Sequence, residues 1–210
     1  MMLIGQYDSP FVRRVGIALT LYALPFEHRP WSVFGDAEKV QKFNPLIRVP
    51  TLVLDNGEVL IESHSILDYL DSLAPAGQAL FPVAEPARHR ALKVAALATG
   101  LAEKAVSLFY ERRLHTEVSD VWVQRCGAQI RAVLAVLEAD RTARGGGSAY
   151  WFGENIGHPD IAVAVALRFL TEAHGGLVAI ADFPALEAHA VVLEALPVFQ
   201  AIQQPFIPPA

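Results

Sequence analysis

Apolar and polar positions change period several times along the first 75 residues, and each change marks an element. Positions 3–7 suit a short strand. Ser9-Pro10 follows as a helix N-cap with proline at the first helical position, so a helix is predicted over 10–23, broken by Leu24-Pro25. Positions 26–30 read as a second strand directly after that helix, as in a βαβ unit. A turn at Gly35-Asp36 opens a weak helix to about position 43. Asn44-Pro45 and Val49-Pro50 then hold a loop that leads into a strand over 51–54. Asp55-Asn56-Gly57-Glu58 is a hairpin turn, because Asn-Gly supplies the positive φ that tight turns need. The chain returns antiparallel over 59–61, and Ser63 is placed as the cap of a helix reaching about position 73.

Beyond this point the pattern no longer alternates. Positions 74–86 hold three prolines and a glycine among small residues, as a linker would. Apolar residues then recur at three- and four-residue spacing over 86–115 and 119–143, which predicts two long antiparallel helices. Gly145-Gly146-Gly147 ends the second, further helices are expected over 159–173 and 184–193, and an extended tail from Pro205. The order βαβ, helix, ββα is what a thioredoxin-like sheet requires. The predicted fold class is therefore α/β plus all-α: a thioredoxin-like domain over 1–75, a linker over 76–86 and an all-helical domain over 87–210.

Composition narrows the function. At 210 residues, more than half of them apolar, the chain can bury two cores. A net charge of -5 without long runs of one sign offers no basic stripe for a phosphate backbone, so nucleic acid is not an expected partner. The start lacks a basic segment and a long apolar core, and no stretch runs apolar long enough to span a bilayer, so no membrane partner and a cytoplasmic location are expected. A single cysteine, Cys126, excludes an intrachain disulfide and a CxxC redox pair. Seven scattered histidines give no metal-ligand spacing.

Four pieces of the N-terminal half occur in a telling order: Ser9-Pro10 with Arg13-Arg14-Val15 behind it, Asn44-Pro45, Val49-Pro50 and Glu62-Ser63. Together they resemble the cytosolic, bacterial-type glutathione S-transferase family with a serine-type active site. The resemblance implies that glutathione is the co-substrate and that a small hydrophobic electrophile is its acceptor. It also implies a homodimer with a role in detoxification.

Residue by residue, the resemblance implies a cis Val49-Pro50 bond, with Val49 pairing antiparallel to the cysteinyl unit of glutathione. Ser63 would hold the γ-glutamyl carboxylate at a helix N-terminus, where amides and the helix dipole attract an anion. Glu62 would pair with the ammonium, and Arg48 stands where a basic side chain meets the glycyl carboxylate. Ser9, at the start of the first helix, is the catalytic candidate: its hydroxyl would donate to the glutathione thiolate and lower the thiol pKa. Tyr7 competes for that task, though the run Ser-Pro-x-x-Arg-Arg-Val fits serine-type members better. The electrophile pocket is expected between the domains, lined by Tyr7, Trp31, Phe34, Phe109, Tyr110 and Arg113.

Departures from relatives narrow the chemistry. No cysteine lies near positions 9–12, which disfavours mixed-disulfide reductase activity, and the Ser-Ser-Cys run of maleylacetoacetate isomerases is missing. Gly157-His158-Pro159-Asp160 resembles the family's capping box with glycine in place of the hydroxyl cap, a folding feature. The alternative function is a non-catalytic binding or regulatory protein on the same fold.

Overall fold

Four strands of three residues each form one mixed sheet: β1 (Met2–Ile4), β2 (Glu27–Arg29), β3 (Thr51–Val53) and β4 (Val59–Ile61). Their spatial order is β2-β1-β3-β4, with β1 parallel to β2 and antiparallel to β3, and β4 antiparallel to β3. Leu3 stands opposite both His28 and Leu52, so the central strands put apolar residues in register. The computed structural model describes residues 1–145 and 147–208, so Gly146 of the expected glycine turn and the end of the expected tail fall outside the described residues.

Helices α1 (Pro10–Leu21), α2 (Ala37–Gln41) and α3 (Ser63–Leu73) complete this unit. Ser9 caps α1, its Oγ accepting from the Val12 amide, and Pro10 takes the first helical position as expected. Leu3, Ile4 and Leu52 are buried with Val12, Val15, Ile17 and Leu19 of α1 and Ile66, Leu67 and Leu70 of α3. Each such side chain contributes about 1.5–3 kcal/mol through removal from water.

The first strand ends earlier than its pattern suggests. Gly5 has φ +128, and a Cβ there would lie 2.5 Å from Val12 Cγ2 and 2.8 Å from Val49 Cβ. The backbone therefore leaves the sheet at Gly5, and Tyr7 sits in the loop before α1. That contact also brings the Val49 loop against the first turn of α1.

Two compact units divide the chain, but not at the expected boundaries. The first comprises Met1–Val83 with the segment from Leu196 onward, and the second is Ala84–Ala195. The expected helical domain over 87–210 thus loses its final stretch to the first unit. A short helix, α8 (Pro197–Ala201), replaces part of what reads as featureless tail. The cause is Arg13, whose Nε donates to the Ile202 carbonyl at 2.8 Å and whose Nη2 donates to that of Phe199 at 3.0 Å. Its guanidinium also stacks over the Phe199 ring at 5.4 Å. Arg13 and the tail bury one another, so α1 is covered on a side that an ordinary amphipathic helix leaves to solvent.

The second unit contains α4 (Ala87–Leu114), α5 (Asp120–Ala143), α6 (His158–Ala173) and α7 (Pro184–Glu194). Ser119 caps α5 by accepting from the Trp122 amide. Ala91, Ala95, Ala98, Ala102 and Ala105 are all buried, and their three- and four-residue spacing gives α4 a shallow stripe. Such a stripe lets α6, itself buried on nearly every side, approach closely. Among the described residues no helix is long and apolar enough to cross a membrane, and no group of three or more His, Cys, Asp or Glu residues could hold a metal ion.

Candidate functional site

The N-terminus of α3 is the chemical centre of the first unit. The N-cap position belongs to Glu62, with Ser63 the first helical residue, and no side chain caps this end. This corrects the expectation that Ser63 is the cap: its hydroxyl is available for something other than the helix. Glu62 has φ +66, a left-handed conformation that costs a non-glycine residue energy and that clusters at ligand-binding positions.

Ser63 is 3% exposed, and the Arg14 Nη1 donates to its Oγ over 3.4 Å. Arg14 is 1% exposed, and its Nε and Nη2 have no hydrogen-bond partner. Burial pulls the guanidinium down to about 9. On the outer side, Arg48 Nη1 lies 3.0 Å from Glu62 Oε1, both half-exposed. Arg48 therefore faces Glu62, where the sequence places it opposite a ligand carboxylate. The loop carrying Arg48 is pinned from beneath by Asn44, whose Nδ2 donates to the Arg48 carbonyl at 2.9 Å and to Thr51 Oγ1 at 3.1 Å. The Val49-Pro50 bond is cis, with Pro50 buried and Val49 half-buried.

Ser9 stands half-buried at the start of α1, five residues before Arg14. At 1.5 Å of rise per residue the two are about 7.5 Å apart along the axis, roughly two extended residues. The Ser9 Oγ accepts from the Val12 amide at 3.4 Å, which uses a lone pair and leaves the hydroxyl hydrogen to donate elsewhere. Capping and donation are therefore compatible in one side chain.

Tyr7 lies in the loop before α1, buried in the first unit. Its ring stacks on His28 at 3.8 Å between centroids, with 10° between planes, and a Cβ on Gly16 would lie 2.9 Å from its Cε1. Burial pushes the phenol up to about 12. Tyr7 thus packs inside the first unit. Trp31 and Phe34 also belong to that unit, Trp31 beneath Lys39 and beside Phe43, Phe34 exposed. Phe109, Tyr110 and Arg113 lie on α4 of the second unit, where Phe109 meets Tyr110 and His174 edge-on.

Two residues near the site, and the burial of a third, are not announced by the sequence. His28 supports Tyr7 and places Nε2 2.8 Å from the Gly5 carbonyl oxygen. Gln204 Oε1 accepts from the Tyr7 amide, so the tail braces the loop before Ser9. Arg14 stands in the motif, but its burial is signalled only by a charge inside the apolar run Val12, Val15, Ile17, Ala18 and Leu19.

This arrangement can hold an anion at the uncapped α3 terminus, a cation at the Glu62 carboxylate, and a hydrogen-bond acceptor at Ser9. Residues 3–78 match the glutathione S-transferase N-terminal domain family and residues 120–190 the glutathione S-transferase C-terminal domain family. The chain is 33% identical over 139 residues to YibF, an uncharacterized GST-like protein of Escherichia coli strain K12, covering 66% of this chain and 68% of that protein. It is 26% identical to glutathione S-transferase U6 of Arabidopsis thaliana over 171 residues, covering 81% of this chain and 71% of the relative. A glutathione transferase family member from Pseudomonas fluorescens Pf-5, solved with bound glutathione, superposes with a TM-score of 0.86 at 32% identity, covering 98% of this chain and 99% of that one. A glutathione S-transferase from Methylobacterium radiotolerans in complex with glutathione sulfonate gives 0.88 at 28% identity, covering 100% and 98%. In fold, in motif order and in sequence, the chain belongs to the glutathione S-transferase family.

Proposed function

We propose that this protein is a glutathione transferase that binds glutathione on its first unit, holds the cysteinyl sulfur as a thiolate with the Ser9 hydroxyl, and adds it to a small hydrophobic electrophile. The thiol proton leaves to water, and the thiolate lone pair forms a carbon–sulfur bond as a π bond of the electrophile breaks. The electrons of that bond take a proton from water in an addition, or re-form the π bond to expel a leaving group, chloride for a chloroaromatic, in a substitution. Ser63 and the α3 terminus take the γ-glutamyl carboxylate, Glu62 its ammonium, and the Val49 backbone the cysteinyl unit beside the buried Pro50. Arg48 orients Glu62. The observation that carries this reading is the uncapped start of α3, where Glu62 is left-handed and the buried Ser63 hydroxyl accepts from Arg14 of α1, the helix that Ser9 begins. Glutathione and glutathione sulfonate in relatives at 32% and 28% identity support the ligand. A homodimer in the cytoplasm follows from the family alone.

Retention on immobilised glutathione, followed by turnover of a chloronitroaromatic acceptor, tests the reading. Retention without turnover would leave a binding or regulatory protein on the same fold.

Ser63→Ala and Glu62→Ala are expected to weaken glutathione unequally. The buried Ser63 hydroxyl donates to a charged group, and its loss should cost about 2 kcal/mol. Glu62 is half-exposed and already paired with Arg48, so roughly 1 kcal/mol is expected. Calorimetry checks both values, and undiminished affinity in both variants would remove α3 from the binding site.

A further inference from the structure

A buried arginine with two unpartnered nitrogens is an unfinished electrostatic arrangement. Among the described residues no carboxylate pairs with Arg14, whose Nε and Nη2 lack partners while Nη1 alone reaches Ser63 Oγ. An isolated buried cation is costly unless an opposite charge offsets it. Burial already pulls its pKa down to about 9, because it takes the guanidinium out of water.

The direction of the contact determines what Ser63 can do. Arg14 has only donors, so Ser63 Oγ accepts from it and the Ser63 hydrogen must point to another acceptor. Arg14 lies wholly inside the unit, 1% exposed. It sits behind Ser63, at the uncapped start of the eleven-residue helix α3.

We propose that Arg14 is a positioning residue for glutathione: it aims the Ser63 hydroxyl outward and supplies, from behind, the positive charge that selects the γ-glutamyl carboxylate. This rests on the proposed glutathione reading of the site and adds to it the origin of the carboxylate preference. The ligand completes an electrostatic pair of which the folded protein holds only half.

A structural arginine and a positioning arginine behave differently when replaced. Arg14→Met keeps the volume and removes the charge, so the ligand-free protein should melt no lower than wild type. Glutathione affinity should fall roughly tenfold, the scale of one charge acting across a few ångströms of partly polar protein. The control ligand is 4-aminobutyryl-cysteinyl-glycine, which keeps the ammonium and thiol and lacks only the γ-glutamyl carboxylate. Its affinity should change less than twofold in the same variant. Arg14→Lys should restore most of the glutathione affinity. Arg14→Gln, which keeps a donor for Ser63 without the charge, should show the same ligand-selective loss, and it carries the comparison if the methionine variant does not fold.

Calorimetric titration of both peptides into all four proteins provides the readout. Equal losses for the two peptides, or no loss for either, would overturn the role of Arg14 while leaving glutathione binding intact. A wild type that binds neither peptide would overturn the glutathione reading, and this proposal with it.

Discussion

Ser9→Ala is expected to raise the thiol pKa of bound glutathione from about 6.5 toward the unperturbed value of about 8.5, a change of roughly 2.7 kcal/mol. Glutathione affinity should stay within a few-fold, because the proposed contacts of the γ-glutamyl end with α3 and of the cysteinyl unit with the Val49 backbone do not involve Ser9. At pH 7 the thiolate fraction would fall about 25-fold. A more basic thiolate is also a stronger nucleophile, which offsets part of that loss, so turnover should drop between roughly threefold and 25-fold. Above about pH 9 the gap should close, since the thiol then ionises without help. The hydroxyl's second task as the α1 cap predicts a stability loss of about 1 kcal/mol, read separately from the melting curve.

Tyr7→Phe is the matching control. With its phenol pushed up to about 12 and its ring clamped between His28 and Gly16, Tyr7 is a weak donor to a thiolate. Its loss should leave the thiol titration nearly unchanged. Thiolate absorbance of the complex against pH, in wild type and both variants, decides between them. A rise confined to Tyr7→Phe would install the tyrosine in place of the serine, and a rise in neither would assign activation to the α1 terminus and backbone.

Local chemistry made much of this fold legible in the sequence. Ser9-Pro10 marks the start of α1, Asn56-Gly57 the hairpin between β3 and β4, and Pro184 the start of α7, because caps, turns and prolines act within a few residues of themselves. Non-local causes stayed hidden. Segment 197–201 is docked where Arg13, some 190 positions earlier, donates to the carbonyls of Phe199 and Ile202, and nothing near Phe199 announces it. The same holds for the site. Glu62-Ser63 and Val49-Pro50 could be named from their motifs, whereas the Arg48 pairing with Glu62 depends on how far apart β3 and α3 begin, a distance set by the sheet. Arg14 lay in view between these two cases: the charge was visible, but its lack of a partner belongs to packing.

The largest effect on stability is expected in the second unit, at Asp160. Its Oδ1 accepts from the buried Trp151 amide at 2.7 Å and its Oδ2 from the half-buried Gly157 amide at 2.8 Å, so Asp160→Ala orphans two donors. Glycine at the cap position lacks the hydroxyl that would share the task, so the carboxyl secures this end of α6 alone. A loss of about 4 kcal/mol is expected at pH 4. His189 gives that loss a pH dependence. Its Nδ1 faces the Ala149 carbonyl oxygen at 3.2 Å and so carries the proton, which leaves Nε2 bare, 3.4 Å from Asp160 Oδ1. Burial raises Asp160 from 3.8 to about 6, against the pull of its two amides and Arg141, and lowers His189 from 6.5 to about 4, with Arg141 adding to the effect. The signs oppose. The raised carboxyl contributes stability that is complete below about pH 3.8 and lost as pH rises through 6, and the depressed imidazole contributes stability that is complete above 6.5 and lost as pH falls through 4. Each slope is roughly 1.4 kcal/mol per pH unit, so in wild type the two nearly cancel between pH 4 and 6. Single variants uncover them: relative to wild type, His189→Phe should lose stability steadily as pH rises from 4 to 6.5, while the deficit of Asp160→Ala should shrink by roughly 3 kcal/mol over the same span. Urea unfolding at four or five pH values measures both differences, and slopes of the same sign would mean that the carboxyl is ionised in the folded protein throughout.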